Sequence, residues 1–532
     1  VFILKFKSCL AAPSLRATGV LCTIFLLSSH APAQNRSPTP QTRFSLVQAV
    51  EQTLAADPLL KISREDVAAS KGRLKSASGL FDPLFSSSVS HMVDERGVTL
   101  SPDPTAFSRL TAYETAYRVS LDQPTRSGIL ISPGFEVRRL DDNLYRAAPE
   151  TRADVNLLFR IPLARGWGKN SPETLTERST KMQLEAEELH YRQTVAFRLL
   201  NTVIAYWNYS SAQERLVINL DNENRAKRFL VQVEALVQAD ETPRAELDKL
   251  TANLASVVAT REASETSVME ARQQLGLAVG MDYQQIPLLP PASDELLQLT
   301  NQFSTHDLAR LRVGKPILDL RPDFAAAGKI EELARLNLGG ARDQLKPQID
   351  LILKVGYGGV NAGAEEQKYF TALGENVQGL NGFGAINFSF PFGNRKARGG
   401  VDQQQALLNQ ARIRKDELAR SIFSEIELGM MRLKSLHAEL DHARQARTIY
   451  ANVVANEKRK LELGNSTVLD ILQVEDRLTA ASHAYLSTLV KYAVAVVRLR
   501  YEAGMLVTHR GGQNLISLES LTELPRIDAT GD

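Results

Sequence analysis

Cysteine is almost absent: the 532 residues contain two, Cys9 and Cys22. Both fall in a leader-like stretch, so the rest of the chain has no disulfide, no thiolate metal site and no cysteine nucleophile. Aromatics make up only 6% of residues, which suits long helices packed through Ala, Leu and Val better than a bulky globular core. Charge of one sign is not in excess either. The 63 basic and 61 acidic residues leave a net +2, without the basic surplus that a nucleic-acid-binding face needs. Beyond the leader no apolar run approaches the ~20 residues of a spanning helix, so a passage through a bilayer has to be made by strands. There is no HExxH and no phosphate loop. His437 and His442 are five apart, which does not put two ligands on one helical face, and no metal site is predicted. Glu185 and Glu188 sit on a charged helical stretch where a solvated face is the default. The composition points away from an enzyme, and no cofactor is expected.

What is present begins with export. Residues 1–33 read as a signal peptide: Lys5, Lys7 and Arg16 are the basic region, VLCTIFLL (20–27) the apolar region, and Ala31-Pro32-Ala33 the small-residue site. The chain then repeats itself. DPLLKISREDVAASKGRLKSASGLFDP (57–83) and RPDFAAAGKIEELARLNLGGARDQLKP (321–347) each place a proline in a first helical turn and another 25 residues on, before an extended segment. IPLARGWGKN (161–170) corresponds to FPFGNRKARGG (390–400). QADETPRAEL (238–247) aligns without a gap with ELGNSTVLDI (462–471), and AVGM (278–281) matches EAGM (502–505). The domain reading is a first structural repeat over 34–281, a linker over 282–321 around LLPPASDELL, a second repeat over 322–505, and a polar tail over 506–532.

Each copy reads as helix, strands, long helix, turn, helix. From Asn170 to Val237 there is no glycine and only Pro172, in the first turn. At 1.5 Å per residue that helix runs roughly 100 Å. Its counterpart runs from Ala397 to Leu463, with Ile422, Ile426, Met430, Leu433, Leu436, Leu440 and Ala443 forming a coiled-coil-like seam. After each turn comes an antiparallel helix, the first opened by Thr242 as N-cap and Pro243 at the first helical position. Strand-like alternation marks 84–92, 113–121, 128–137, 154–161, 348–357 and 385–390. In QIDLILKVGY, Ile349, Leu351, Leu353, Val355 and Tyr357 oppose Gln348, Asp350 and Lys354. Such alternation fits lipid on one side and water on the other, or a one-sided soluble sheet. Six strands are too few to close a membrane barrel, for which about eight is the minimum, so strands in lipid would have to be shared between chains.

The order and spacing of FSLVQAVEQTLAADPLL (44–60), IPLARGWG, AYWNY (205–209) and LELGNSTVLDILQVEDRL (461–478) resemble the TolC-like outer-membrane efflux protein family, over about residues 44–505. The resemblance implies an α+β membrane protein: a trimeric outer-membrane β-barrel continuous with a long periplasmic α-helical barrel, with two internal structural repeats per chain. It implies four strands from each chain in a barrel of twelve, so the hairpin at 113–137 is either an addition to the wall or a structured outer loop. It also implies a homotrimer in outer-membrane lipid that works with a periplasmic adaptor (membrane fusion) protein and an inner-membrane transporter. Such a channel exports small molecules or polypeptides by tripartite efflux or type I secretion. Asp470 matches the first of two acids at the periplasmic constriction of that family; Gln473 stands where the second is usual, and Glu246 aligns with Asp470 in the other repeat. Adaptor-contact tips are expected at Leu463, Gly464 and Asn465 and at Asp240, Glu241 and Thr242.

Plainer readings stand beside these. Asp470 and Glu246 are also simply acids near helix N-termini, favoured by the helix dipole. Trp167 marks a membrane interface or packs a junction, and Trp207 with Tyr206 and Tyr209 reads as helix–helix core. A periplasmic coiled-coil adaptor or scaffold without a pore is the rival function, and a diffusion porin is disfavoured by the helical content.

Overall fold

The computed structural model describes residues 43–99, 107–146, 148–240, 243–294, 316–362, 371–374, 377–510 and 513–515. The leader, residues 295–315 of the linker, Glu241 and Thr242 lie outside these residues. Among the described residues no helix is long and apolar enough to cross a membrane.

Helix α1 (Leu46–Ala56) opens on a capping box, in which Ser45 Oγ accepts from the Gln48 N–H and the Gln48 side chain accepts from the Ser45 N–H. Pro58 then starts α2 (Pro58–Ser78), and the Asp57 carboxylate accepts from the Leu59 and Leu60 N–H groups. Two long helices follow in antiparallel pairing: α3 (Pro172–Gln238) has 67 residues and α4 (Ala245–Ala278) has 34. In the second half α5 (Pro322–Asp343) opens at Pro322, and α6 (Arg395–Glu462) and α7 (Val468–Glu502) have 68 and 35 residues. The prolines at 58, 172 and 322 are thus helix starts, as their positions predict. Pro243 is not. α4 begins two residues later, after i→i+3 bonds from Glu246 N–H to Pro243 and from Leu247 N–H to Arg244 carbonyls, and Arg244 at the cap makes no side-chain cap bond.

The seam forms as the spacing predicts. Ile422, Ile426, Leu433 and Leu436 of α6 are buried against Tyr492, Ala495, Val496 and Leu499 of α7, with Met430 partly buried beside them. A second cluster surrounds Trp207, which is 1% exposed and meets Tyr206 edge-on at 5.3 Å. It draws in α1, α4 and α7, and includes Leu506 and Val507, so the packed core continues past residue 505. Buried charge ties the short helices to the long ones. Arg198 of α3 donates through Nε to Asp57 at 2.7 Å, where Asp57 is fully buried. Arg321, 4% exposed, donates to the Tyr501 and Glu502 carbonyls at the end of α7.

The strands are β1 (Leu84–Thr99), β2 (Phe107–Pro124), β3 (Leu130–Asp142), β4 (Glu150–Pro162), β5 (Gln348–Ala362) and β6 (Val377–Ser389). They form one antiparallel sheet in the order β1-β2-β3-β4-β5-β6. All six predicted strands are present and longer than the alternation alone marked. Strands β1 and β5 begin directly after Pro83 and Pro347. Residues opposite one another share a face, and two adjacent rows across the sheet have opposite character. Ser87, Val119, Phe135, Val155, Tyr357 and Leu380 form one row, and Ser88, Arg118, Glu136, Asp154, Gly358 and Gly379 the next. In these rows one face is apolar, with Val119, Val155 and Tyr357 exposed, and the other carries the charges; toward the loop ends Arg109, Arg139 and Asp141 stand on the first face as well.

Leu433 has no exposed surface in the α6–α7 seam. Leu433→Ala is expected to destabilise the helical hairpin by about 2–5 kcal/mol, read as a lowered helical melting temperature, while the same change at exposed Leu428 leaves it nearly unchanged.

Candidate functional site

The candidate residues gather where α3 turns into α4 and α6 turns into α7. These two tips pack on each other: Phe229 and Val233 of α3 and Leu250 of α4 bury Val468 and Ile471 from the first turn of α7. Ile471 is fully buried, which fixes the rotation of α7 and leaves Leu469, Asp470 and Gln473 exposed. Polar contacts lock the tips from outside. Glu475 of α7 accepts from Arg225 Nε of α3 at 2.7 Å, and Lys458 Nζ of α6 lies 2.6 Å away. No local pattern announces Glu475, because its partner Arg225 is 250 residues away in sequence.

The α6–α7 turn is closed by backbone geometry. Gly464 N–H donates to the Leu461 carbonyl and Asn465 N–H to that of Lys460, a Schellman arrangement with Gly464 at φ +74°. Leu463 projects into solvent at 75% exposure. In the α3–α4 turn the aligned residue is Asp240, not glycine, and it takes the same left-handed conformation at φ +58°. Asp tolerates that region better than most residues because its short polar side chain hydrogen-bonds locally. The missing glycine therefore does not change the shape of this turn at Asp240. Glu241 and Thr242, the other expected contacts there, lie outside the described residues.

Asp470 has a definite local role. Its Oδ2 accepts from the Thr467 N–H at 3.1 Å and from Thr467 Oγ1 at 2.6 Å, while the Asp470 N–H donates back to Thr467 Oγ1. This is a capping box with aspartate in the third helical position. The Thr467 hydroxyl, then its backbone N–H, then Lys460 hold the carboxyl below the usual aspartate range. Nearby Glu457 is held low in the same way by Ser466 and Lys460. Glu246 has a different partner: it is bonded to Lys249 at 2.8 Å and caps no backbone group among the described residues. Gln473 is exposed. Trp167 is half exposed at the exit of β4, where it precedes the turn that leads into α3. Among the described residues no group of His, Cys, Asp or Glu could hold a metal ion.

Residues 314–504 match the profile of the family described as outer membrane efflux protein. No protein of curated function matches the chain in sequence. Three solved structures of similar fold are the Campylobacter jejuni CmeC outer membrane channel, the outer membrane protein VceC from Vibrio cholerae, and the Neisseria gonorrhoeae MtrE outer membrane channel in its open state. CmeC has a TM-score of 0.62 at 16% identity, over 90% of this chain and 90% of its own. VceC has 0.61 at 15%, over 86% and 96%, and MtrE has 0.62 at 15%, over 86% and 88%. At these identities the likeness is one of fold.

Two outcomes are expected at the tips. Asp470 has a depressed pKa, so its contribution to tip stability is complete above the unfolded carboxyl pKa and is lost as pH falls through the folded value. Protection of the 464–471 amides, relative to the intrinsic exchange rate at each pH, should fall on that acidification, and Thr467→Val should shift the fall to higher pH. Asp240→Gly relieves a left-handed non-glycine residue and should slow exchange at the α3–α4 tip, with a gain of up to about 1 kcal/mol.

Proposed function

We propose that this chain, which carries an outer membrane efflux protein domain over residues 314–504 and the fold of solved outer-membrane channels, is the outer-membrane subunit of a tripartite export system. The observation that carries this reading is the junction of two unlike walls in one chain. At one end is an open antiparallel sheet with a continuous apolar face. At the other are two helical hairpins whose long arms run roughly 100 Å. The sheet supports a location in outer-membrane lipid, with its charged face to water. Helices with a low-aromatic, charge-balanced surface suit a periplasmic tunnel.

Strands in lipid need partners on both edges, so the working form is a homotrimer that closes a barrel above and a helical barrel below. Each chain is built from two structural copies, and the similar lengths of α3 and α6 and of α4 and α7 support that reading. The paired tips form the periplasmic entrance. Three Asp470 carboxylates there make a cation-attracting ring that Glu246 and Gln473 flank, with one acid fewer per chain than a doubled ring. Exposed Leu463 and Leu469 are apolar handles for the periplasmic adaptor, with Gly464, Asn465 and Asp240 shaping the contact. An inner-membrane transporter supplies cargo and energy. Trp167, half exposed below β4, marks the periplasmic edge of the outer membrane.

Purified protein should run as a heat-modifiable trimer from the outer-membrane fraction and conduct in planar bilayers. A monomeric soluble protein without conductance overturns the channel reading and favours a pore-free scaffold. Asp470→Asn removes charge while keeping an acceptor for Thr467. It should weaken block by multivalent cations while costing the tip only the small charge-dependent part of the cap; unchanged block leaves Asp470 as a capping residue alone.

A further inference from the structure

Strands β2 and β3 are the pair that an expectation of four strands per chain leaves over. They do not form an outer loop. Strand β2 pairs with β1 along all 16 residues of β1, and β3 pairs with β4 from Leu130 opposite Arg160 to Leu140 opposite Glu150. Their alternation is in phase with that of their neighbours. Tyr117 and Val119 continue the apolar face, and Phe135 and Val137 on the same face pack within the chain against Ala153 and Ala372. Arg118 and Glu136 lie opposite each other on the charged face, with Arg118 Nε 2.9 Å from Glu136 and Arg138 a further 3.0 Å from the same carboxylate.

The lower end of this hairpin is fixed at the junction of strands and helices. Gly128, at φ +85°, closes the turn so tightly that a Cβ there would sit 2.5 Å from the Gly166 carbonyl. The Ser127 carbonyl accepts from Gly168 N–H, and the Arg126 carbonyl accepts from Thr174 Oγ1. The Arg126 side chain makes a two-pronged bond to Glu177 on the first turns of α3, at 2.9 and 2.7 Å. The hairpin therefore spans the height of the sheet and adds two strands without adding a helix beneath them.

Resting on the channel reading, we propose that β2 and β3 are wall strands, and that the barrel is closed by second and third copies of this chain across the free edges of β1 and β6. The geometry of the edges fits this partner. Six strands in up-and-down order leave β1 and β6 running in opposite directions, so β6 of one copy continues antiparallel onto β1 of the next. Both edge strands carry the same two-faced pattern, Val89 and Val93 on β1 and Ile386 and Phe388 on β6. Six strands from each of three chains make eighteen, and a barrel about half as wide again as one of twelve at equal tilt. The wall flares outward where it leaves the helices.

The test combines thiol labelling with imaging, helped by a chain whose only cysteines are Cys9 and Cys22. Single cysteines at Val119, Ile131, Val155 and Val355 should resist a water-soluble maleimide in intact outer membranes, and those at Ser120, Ser132 and Asn156 should react. Electron microscopy of the trimer in lipid nanodiscs should show a strand region about one and a half times as wide as in a variant lacking residues 107–142. If positions 119 and 131 react freely while 155 and 355 stay protected, β2 and β3 stand in water and the inference fails with the channel intact. Equal widths for the two trimers overturn it in the same way. If 155 and 355 also react, the channel reading itself fails.

Discussion

A backbone N–H or C=O left unpaired in hydrocarbon costs several kcal/mol, and this chain has two strand edges, β1 and β6, that its own fold leaves open. That constraint organises the rest. The apolar face makes lipid the natural solvent for one side of the sheet, and the open edges then forbid a lone chain in that solvent. In the proposed channel, oligomerisation follows from backbone hydrogen bonding before any side-chain contact is considered. The helices below answer a different demand. Their stability comes from side-chain seams such as Leu433 against α7 and from tip packing around Ile471, both of which form within one chain.

The junction between the two regimes is held by specific polar contacts. Arg126 with Glu177 fixes a strand turn to α3, Arg198 with Asp57 fixes α2, and Arg321 fixes the end of α7. The last two pairs are buried, where truncating one partner strands the other charge. Function in the proposed reading needs a tip that opens while this junction stays rigid, and the distribution of contacts matches. At the α6–α7 turn the cap is closed by exposed groups, Asp470 and Thr467, whose interactions are screened and individually weak.

Much of this fold was legible in the sequence because its signals are periodic and local. Alternation found all six strands, glycine-free runs found α3 and α6, and Pro58, Pro172 and Pro322 marked helix starts. Pro243 misled, since a proline at the first helical position and one in a turn before the helix share a local sequence, and here the i→i+3 turn came first. Asp240 was harder still, because aspartate does not announce a left-handed conformation as glycine does. At the tip, Asp470 was visible as an acid near a helix start. Its reciprocal bonds with Thr467 are a local motif, whereas the Glu475 lock joins residues far apart in sequence and had no signal to read. The role of β2 and β3 lay between these cases: their existence was legible, and their place inside the sheet was not, because strand order is a tertiary property.

The central claim is that copies of this chain complete one another's sheet, and disulfide trapping across the free edges tests it most directly. Val89→Cys on β1 would be combined in turn with Gly382→Cys, Gly384→Cys and Ile386→Cys on β6, all on the apolar face, and oxidised in outer membranes. The account predicts a covalent trimer in denaturing gels for at least one pairing, and none when either cysteine is present alone. Monomers throughout, with the protein correctly inserted, would contradict it.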